Sequence, residues 1–235
     1  MAKIAVLGYG TVGSGVVEVL NINREIIAKR AGEEISIKYV LDLRDFPGSP
    51  AEKLIVHDFE QIVQDEEVEV VVEVMGGIEP AHTFVKRSLE AGKSVVTSNK
   101  ALVAKHGAEL LQTAKAHQVN FLFEASVGGG IPIIRPVKQC LAANHITELM
   151  GIFNGTTNFI LTKMSQEGME FGDALRLAQD MGYAEADPTA DVEGLDAGRK
   201  VAILASAAFN SRVTFEDVYT EGITKITATD IEYAK

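Results

Sequence analysis

The sequence predicts an α/β protein, with a doubly wound parallel sheet in residues 1–130 and a second, α+β domain in residues 131–235. Three observations predict this organisation. A short apolar run that starts at Lys3 ends in closely spaced glycines, strand-like and helix-like segments alternate up to residue 123, and the alternation stops after residue 130. Such alternation implies parallel strands that are joined by right-handed crossovers.

The apolar run and its glycines predict a dinucleotide-binding turn. Gly8 allows the tight turn after the strand, Gly10 lets a phosphate approach the backbone, and Gly13 lets the next helix pack closely on the sheet. Thr11 and Val12 complete the turn at the helix N-terminus, where a pyrophosphate binds. The pattern therefore predicts a Rossmann-type domain. The alternative is a glycine-rich turn without a ligand.

The remaining elements follow from apolar runs, which predict buried strands, and from helical spacing of apolar residues. The first helix should reach about Arg30. The further strands are predicted at 35–42, 68–74, 94–97 and 119–123, and the further helices at 57–65, 80–91 (stopped by Gly92) and 107–117. In the second domain, Pro132 suits the first position of a helix. A strand is expected at 148–153, and three helical stretches follow it.

The composition indicates a globular cytoplasmic protein. Of the 235 residues, 46% are hydrophobic and 23% are charged, and the net charge of −11 argues against binding to nucleic acid or an anionic membrane. The single cysteine, Cys140, excludes an intrachain disulfide and fits a reducing compartment. The first strand leaves no room for a signal peptide, and no apolar run approaches the ~20 residues of a membrane span.

Ligands of a parallel sheet bind in the loops that follow the carboxyl ends of its strands. Asp42, at the end of the second strand, suits the ribose hydroxyls of NAD, whereas Arg44 suits the 2′-phosphate of NADP. The sequence leaves this choice open. The other candidate cofactor residues in these loops are Gly76, Ser98, Asn99 and Lys100.

Two lysines are candidates for chemistry. Lys100 follows a strand at the mouth of the expected nucleotide site, where it binds an anion or exchanges a proton; the alternative is a solvated lysine at a helix start. Lys200 and Asp196 stand four residues apart, on one face of a helix whose next two turns are almost entirely apolar. This helix is expected to be buried, so the pair suits substrate binding or proton transfer. A structural buried pair is the alternative.

Two polar segments of the second domain are further candidates. Residues 182–191 offer three carboxylates, Glu185, Asp187 and Asp191, in a loop that Pro188 keeps from being helical. They suit a substrate ammonium group; alternatively the loop is solvated and Asp191 caps the next helix. Residues 154–158 start a helix whose N–H groups and hydroxyls can hold a carboxylate, or they form only a capping turn.

The Glu124–Gly130 loop contains three glycines that free backbone carbonyls, so it suits a monovalent cation or a domain hinge. The histidines show no paired ligand spacing with Cys140 or with a carboxylate; they are His57, His82, His106, His117 and His145. A catalytic zinc and a Cys–His nucleophile are therefore not expected.

Taken together, several segments resemble homoserine dehydrogenase over the whole chain, in the family's order and spacing. They are Gly8–Gly15, Thr97–Val103, Glu124–Pro132, Gly151–Asn158, Gly182–Glu185 and Glu193–Lys200. The resemblance implies NAD(P)-dependent interconversion of L-homoserine and L-aspartate 4-semialdehyde, on the route to threonine, methionine and isoleucine.

The resemblance also implies roles for single residues. Lys100 and Lys200 act at the reacting oxygen, with Lys200 as the acid/base and Asp196 orienting it. Glu185 and Asp196 hold the ammonium and hydroxyl end of the substrate. The other pocket residues are Asp191, Thr156, Tyr183 and Gly155. A sodium ion is bound by the Glu124 loop, with backbone oxygens of Val127 and Gly129 among the ligands.

Family members continue beyond the length of this chain, and many carry a C-terminal ACT domain. We therefore expect an incomplete substrate domain, no feedback through an ACT domain, and a homodimer if the substrate-domain sheet is complete. Two other functions stay open: another two-domain Rossmann oxidoreductase, and an NAD(P)-binding module without turnover.

Overall fold

The computed structural model describes residues 1–234, which form two compact units, residues 1–134 and residues 135–234. None of the helices in residues 1–234 has both the length and the apolar character that crossing a bilayer requires. We call the two parts unit 1 and unit 2.

Unit 1 contains one six-stranded sheet in which every pair of neighbouring strands is parallel. The strands are β1 Ala2–Leu7, β2 Ile35–Leu41, β3 Ile55–Val56, β4 Val68–Glu73, β5 Ser94–Thr97 and β6 Phe121–Leu122. Their order across the sheet is β3-β2-β1-β4-β5-β6, so the chain moves outward from β1 in both directions. The predicted doubly wound parallel sheet is confirmed, and it places the loops after β1, β2, β4 and β5 along one edge.

Helices connect these strands. They are α1 Thr11–Ile22, α2 Arg24–Ala31, α3 Glu60–Val63, α4 Ala81–Glu90 and α5 Lys100–Ala116. Three predicted bounds are wrong. The first helix is broken at Asn23, which has φ −101° and ψ 19°, and α3 is shorter than expected. Helix α5 begins seven residues early, because the Asn99 side chain caps it by accepting a hydrogen bond from the Leu102 N–H.

The core of unit 1 lies where helices cover the central strands. Ala5, Val6 and Leu7 of β1 are fully buried, as are Val71 of β4 and Val95 of β5. Near-continuous apolar strands of this kind are expected when both faces of a parallel sheet are covered. The buried strands hold the ends of the sheet, and hence its loops, in fixed positions.

All regular secondary structure in residues 135–234 of unit 2 is helical. Its helices are α6 Gly155–Glu167, α7 Phe171–Asp180, α8 Thr189–Val192, α9 Leu195–Ala208 and α10 Ala228–Tyr233. Helix α6 packs against α7 around the buried side chains of Ile160, Met164, Ala174 and Ala178. Helix α9 follows α8 after a single turn in which Gly194 has a positive φ of 78°.

Three expectations for unit 2 are wrong. Residues 182–191 are not a loop throughout, because helix α8 begins at Thr189, directly after Pro188, and contains Asp191. Residues 148–153 form no strand, since none of residues 135–234 provides a neighbouring strand to pair with their N–H and C=O groups; Met150 and Ile152 are instead 85% and 77% exposed. Pro132 does not begin a helix. The proline at a helical start is Pro136, the first residue of a π-helical turn that ends at Cys140.

Candidate active site

The turn after β1 has the geometry that the sequence predicted for its three glycines. Gly8 has φ +98°, and a Cβ on Gly13 would lie 1.9 Å from the Gly8 carbonyl oxygen, so neither position accepts a side chain without strain. At Gly10, by contrast, no atom of residues 1–234 beyond its chain neighbours lies within 4 Å of a Cβ position. Gly10 precedes α1 directly and offers no side-chain cap. The open space therefore lies at a helix N-terminus, where a phosphate binds. The exposed Thr11 and Val12 form the first turn of the helix.

Asp42 stands at the end of β2 and faces this turn. Its Oδ2 accepts a hydrogen bond of 2.9 Å from the Tyr9 N–H, and its Oδ1 accepts from the N–H and the Nε of Arg44 at 3.0 and 3.1 Å. Partial burial raises the pKa of Asp42, but the hydrogen bonds from Arg44 and Tyr9 outweigh this and lower it to about 2. The two residues that suit NAD and NADP are thus joined in one ion pair, in which Arg44 is 65% exposed.

A buried carboxylate that sequence reasoning missed organises the loops after β4 and β5. Glu73 is fully buried; its Oε2 accepts from the Thr97 hydroxyl at 2.6 Å, and its Oε1 from the Met75 N–H at 2.9 Å. The Asn99 amide donates to the Gly77 carbonyl at 2.6 Å and lies 3.5 Å from Glu73 Oε1. An acidic residue inside the apolar run of β4 was the signal that could have identified it.

The remaining candidate cofactor residues lie in the same two loops, beside these contacts. Gly76 is exposed and has φ +78°, and Ser98 is half-buried. Lys100 is the half-buried first residue of α5, directly after the capping Asn99. The loops that carry these candidates therefore share the edge of the sheet that also carries Gly10 and Asp42.

The Glu124 loop is held by its own carboxylate. Glu124 Oε1 accepts hydrogen bonds from the N–H groups of Ile133 at 2.5 Å and Ile134 at 2.8 Å. Val127 is buried, and Gly129 is exposed with φ +59°. The carboxylate thus ties the two ends of the glycine-rich segment together.

In unit 2, the predicted pair on α9 is formed and buried. Lys200 Nζ lies 2.8 Å from Asp196 Oδ2, and the side chains are 14% and 8% exposed. The same Nζ donates a 2.7 Å hydrogen bond to the Phe153 carbonyl oxygen. Lys200 is therefore held between a carboxylate on its own helix and a backbone carbonyl 47 residues earlier.

Asn154 joins this pair to a second carboxylate. Its buried amide group donates to Asp191 Oδ1 at 2.7 Å and to Asp196 Oδ2 at 3.1 Å, while its Oδ1 accepts from the Thr157 N–H and caps α6. The sequence marked residues 154–158 as a capping turn but missed that this residue bridges two acids. Asp191 does not cap α9, as one alternative had it; Gly194 occupies that position.

The other substrate-binding candidates lie around the start of α6 and the loop before α8. The buried Thr156 hydroxyl donates to the Tyr183 carbonyl at 2.7 Å, and the exposed Tyr183 ring packs on Phe159 with centroids 5.0 Å apart. Gly155 is the exposed first residue of α6. Glu185 is exposed on its loop, where Gln179 Nε2 donates to its backbone carbonyl at 3.1 Å. The structure therefore does not place its carboxylate beside Asn154, as it does those of Asp191 and Asp196.

Comparisons with known proteins agree on one family. Residues 8–124 match the family model for the NAD binding domain of homoserine dehydrogenase, and residues 132–235 match the family model for homoserine dehydrogenase. A putative homoserine dehydrogenase from Archaeoglobus fulgidus is 35% identical to this chain, which covers 76% of it at a TM-score of 0.88. The chain belongs to the homoserine dehydrogenase family. It also matches the enzyme of Synechocystis sp. at 49% identity over 99% of the chain, and a crystal structure from Thiobacillus denitrificans at 45% identity and a TM-score of 0.91.

These matches differ in extent. The chain spans about half the length of the curated relatives it matches: 54% of the Synechocystis homoserine dehydrogenase and 55% of the Thiobacillus chain. The comparisons therefore establish the family and the nucleotide-binding domain of this chain, but not the activity of a full-length relative.

Proposed function

We propose that the chain carries the catalytic residues of homoserine dehydrogenase and interconverts L-homoserine and L-aspartate 4-semialdehyde with NAD or NADP. The observation that carries the proposal is the buried cluster of Lys200, Asp196 and Asn154. It lies in the region that matches the homoserine dehydrogenase family model. A largely buried lysine whose charge is balanced by a buried carboxylate is suited to moving a proton at a substrate oxygen.

Lys200 is the proposed acid/base. In the reductive direction its ammonium group donates one proton to the oxygen on which negative charge develops, and in the oxidative direction its neutral amine accepts the hydroxyl proton. Asp196 holds Nζ in place, and the Phe153 carbonyl fixes its direction. A nicotinamide coenzyme supplies or accepts the hydride.

The coenzyme-binding residues follow from the edge of the sheet in unit 1. The N-terminus of α1 and the open space at Gly10 fit a pyrophosphate, and Gly8 and Gly13 shape the turn. Asp42 suits an NAD ribose, and release of Arg44 from Asp42 would suit the 2′-phosphate of NADP. Thr11, Val12, Gly76, Ser98 and Asn99 are the further candidates at this edge.

Substrate-binding roles are proposed for several further residues. Asp191, Thr156, Gly155 and Tyr183 are proposed to bind the amino-acid end because they surround the start of α6, where N–H groups attract a carboxylate. Glu185 is exposed and available to an ammonium group. Lys100 is proposed as a second cation that stabilises charge on the reacting oxygen.

Three finer assignments rest on the same family membership. A sodium ion is proposed at the Glu124 loop with Val127 and Gly129, where glycine-rich backbone supplies carbonyl oxygens. A homodimer is proposed only for a protein in which the substrate-domain sheet is complete, and residues 135–234 contribute no strand to such a sheet. The cytoplasm is proposed as the location, since Cys140 is an exposed free thiol of the kind that persists in a reducing compartment.

The direct test is homoserine-dependent reduction of NAD and of NADP by the purified chain. We expect turnover with at least one coenzyme and its loss in Lys200→Ala. Lys163→Ala is the matched control because Lys163 also pairs with a carboxylate four residues away, Glu167, but on the surface of unit 2. Coenzyme binding without turnover in any variant would support the binding-module alternative and overturn the proposed function.

The coenzyme site has its own matched pair. Gly10→Ala fills the open space at the N-terminus of α1, whereas Gly15→Ala places its methyl group in equally open space further along the helix. We expect Gly10→Ala to weaken NAD(P) binding more than tenfold and Gly15→Ala to leave it unchanged, as measured by fluorescence titration with NADH and NADPH. Equal affinities in both variants would contradict the placement of the pyrophosphate.

A further inference from the structure

Two histidines and a glutamate meet where α4 packs against α5, outside the residues assigned above. His82 is the second residue of α4, and His106 and Glu109 lie three residues apart on one face of α5. We call these three residues the α4–α5 cluster. The expectation that no histidine is spaced to pair with a carboxylate was wrong here, since His106 and Glu109 are neighbours on one helix face. Spacing could not reveal His82, because it comes from another helix.

The three ligand atoms are already close enough for a metal ion. Glu109 Oε2 lies 3.2 Å from His82 Nε2 and 3.5 Å from His106 Nδ1, and all three atoms lie within 4.8 Å of one another. Zinc–ligand bonds of about 2.0–2.1 Å at tetrahedral angles separate neighbouring ligand atoms by about 3.3–3.4 Å. The two distances from Glu109 therefore match two edges of a zinc tetrahedron.

The surrounding carboxylate and lysine orient the ligands. Glu79 Oε1 lies 3.2 Å from His82 Nδ1, so it can accept the Nδ1 proton and leave the Nε2 lone pair directed at the cluster. Lys86 Nζ donates to the other Glu109 oxygen, Oε1, at 2.8 Å, which leaves Oε2 as the shared vertex. This carboxylate–histidine arrangement is the outer shell that metal-binding histidines generally have.

The two imidazole rings are held together and partly removed from water. Their centroids are 3.9 Å apart at 19° between planes, and the side chains of His82 and His106 are 17% and 23% exposed. Burial, with a smaller contribution from His82, lowers the pKa of His106.

We propose that His82 Nε2, His106 Nδ1 and Glu109 Oε2 form a binding site for a divalent ion of the zinc class, with water as the fourth ligand. Two imidazoles and a carboxylate select Zn²⁺, Co²⁺ or Ni²⁺ over Mg²⁺ or Ca²⁺, which prefer oxygen ligands throughout. The ion would link the first turn of α4 to α5. It would thereby stabilise the two helices that follow the β4 and β5 loops, without taking part in hydride transfer.

The test is a titration of the full chain with Co²⁺, followed by visible absorption, in competition with Zn²⁺. We expect one equivalent of Co²⁺ to give a tetrahedral spectrum that Zn²⁺ removes. His82→Ala and Glu109→Gln should each weaken binding by more than 100-fold, and Glu79→Gln by about 10–100-fold, the usual cost of losing an orienting partner. His117→Ala is the matched control, because His117 is an exposed histidine that ends the same helix α5.

Thermal unfolding with and without Zn²⁺ keeps the test decisive if one variant folds poorly, because an ion that binds the folded state raises its Tm. We expect Zn²⁺ to raise the Tm of the wild type and of His117→Ala, but not of the near-isosteric Glu109→Gln. Absence of a one-equivalent spectrum in the wild type would overturn the site. Binding that Cys140→Ser abolishes and His82→Ala preserves would overturn it equally.

Discussion

Two buried lysines, one in each unit, differ in their partners. Lys93 lies at the amino ends of the strands in unit 1 and is 4% exposed; its Nζ donates to the carbonyl oxygens of Asp65 and Val68 at 2.6 and 2.9 Å. Lys200 in unit 2 donates to one carbonyl and to the carboxylate of Asp196. Burial lowers the pKa of Lys93 below its ordinary value of 10.5.

The difference shows that burial alone does not indicate a catalytic lysine. Lys93 satisfies two carbonyl groups at the turn before β4 and fastens that turn to β5, at the edge of the sheet opposite the glycine turn. Lys200 has a carboxylate that compensates its charge, and an amide, Asn154, that holds this carboxylate. We therefore take Lys93 to stabilise unit 1 and Lys200 to move protons.

The largest expected effect comes from giving Lys200 the neutral partners that Lys93 has. Asp196→Asn keeps the shape of the side chain but removes its charge, so we expect kcat to fall about 100-fold or more. Steady-state kinetics with homoserine measure this. Asp173→Asn is the control, since Asp173 pairs with Arg176 on the exposed surface of the same unit. Equal rates in both variants would mean that the carboxylate beside Lys200 does not matter to the reaction.

The second variant addresses Lys93 itself. Lys93→Met removes the donor to two buried carbonyl groups, so we expect the free energy of unfolding to fall by about 1–3 kcal/mol. Urea denaturation measures this change, and kcat per folded molecule should stay that of the wild type. If Lys93→Met lowered kcat and left the stability unchanged, the structural role of Lys93 would be contradicted.

A second ion pair, between Asp42 and Arg44, extends the comparison to pH. The pKa of Asp42 is about 2 when folded, below its ordinary 3.8, so its contribution to stability is present above pH 4 and is lost as the pH falls towards 2. This contribution is about 2 kcal/mol. Urea denaturation between pH 4 and pH 2 should show a steeper loss of stability for the wild type than for Asp42→Asn. Parallel curves would contradict the lowered pKa.

The smallest expected effect comes from a variant of Asn154 that keeps the cap of α6 but loses the contacts with the two acids. Serine also caps helices well but lacks the amide that reaches Asp191 and Asp196. We expect Asn154→Ser to lower kcat about tenfold while changing the Tm little, because a lost orienting contact costs about this much. Asn158→Ser, an exposed change on the same helix α6, should alter neither quantity. If both variants kept full activity, the bridge between the two acids would be structural only.

The sequence predicted the parts of the site that depend on local spacing. Asp196 and Lys200 are four residues apart in one helix, and Gly8, Gly10 and Gly13 act within one turn, so helix geometry and sterics suffice for both. Asn154 contacts acids 37 and 42 residues away, and Glu73 binds Thr97 24 residues away. Such contacts depend on how the helices and strands pack, which spacing does not reveal.

The wrong strand at 148–153 has the same origin. An apolar run satisfies the pattern of a strand, but a strand forms only where a neighbour pairs with its backbone, and the described part of unit 2 supplies none. The early start of α5 is a local feature that was overlooked, since Asn99 is a good capping residue directly before it.

The most direct test of the account compares Lys200→Met with Lys93→Met in the homoserine-dependent reduction of NAD(P), per mole of folded protein. Both variants replace a buried lysine by the same apolar side chain, so a general effect of losing a buried charge is common to them. We predict that Lys200→Met loses about 100-fold or more of the wild-type kcat and that Lys93→Met keeps it. Similar activity in the two variants would contradict the assignment of Lys200 as the acid/base.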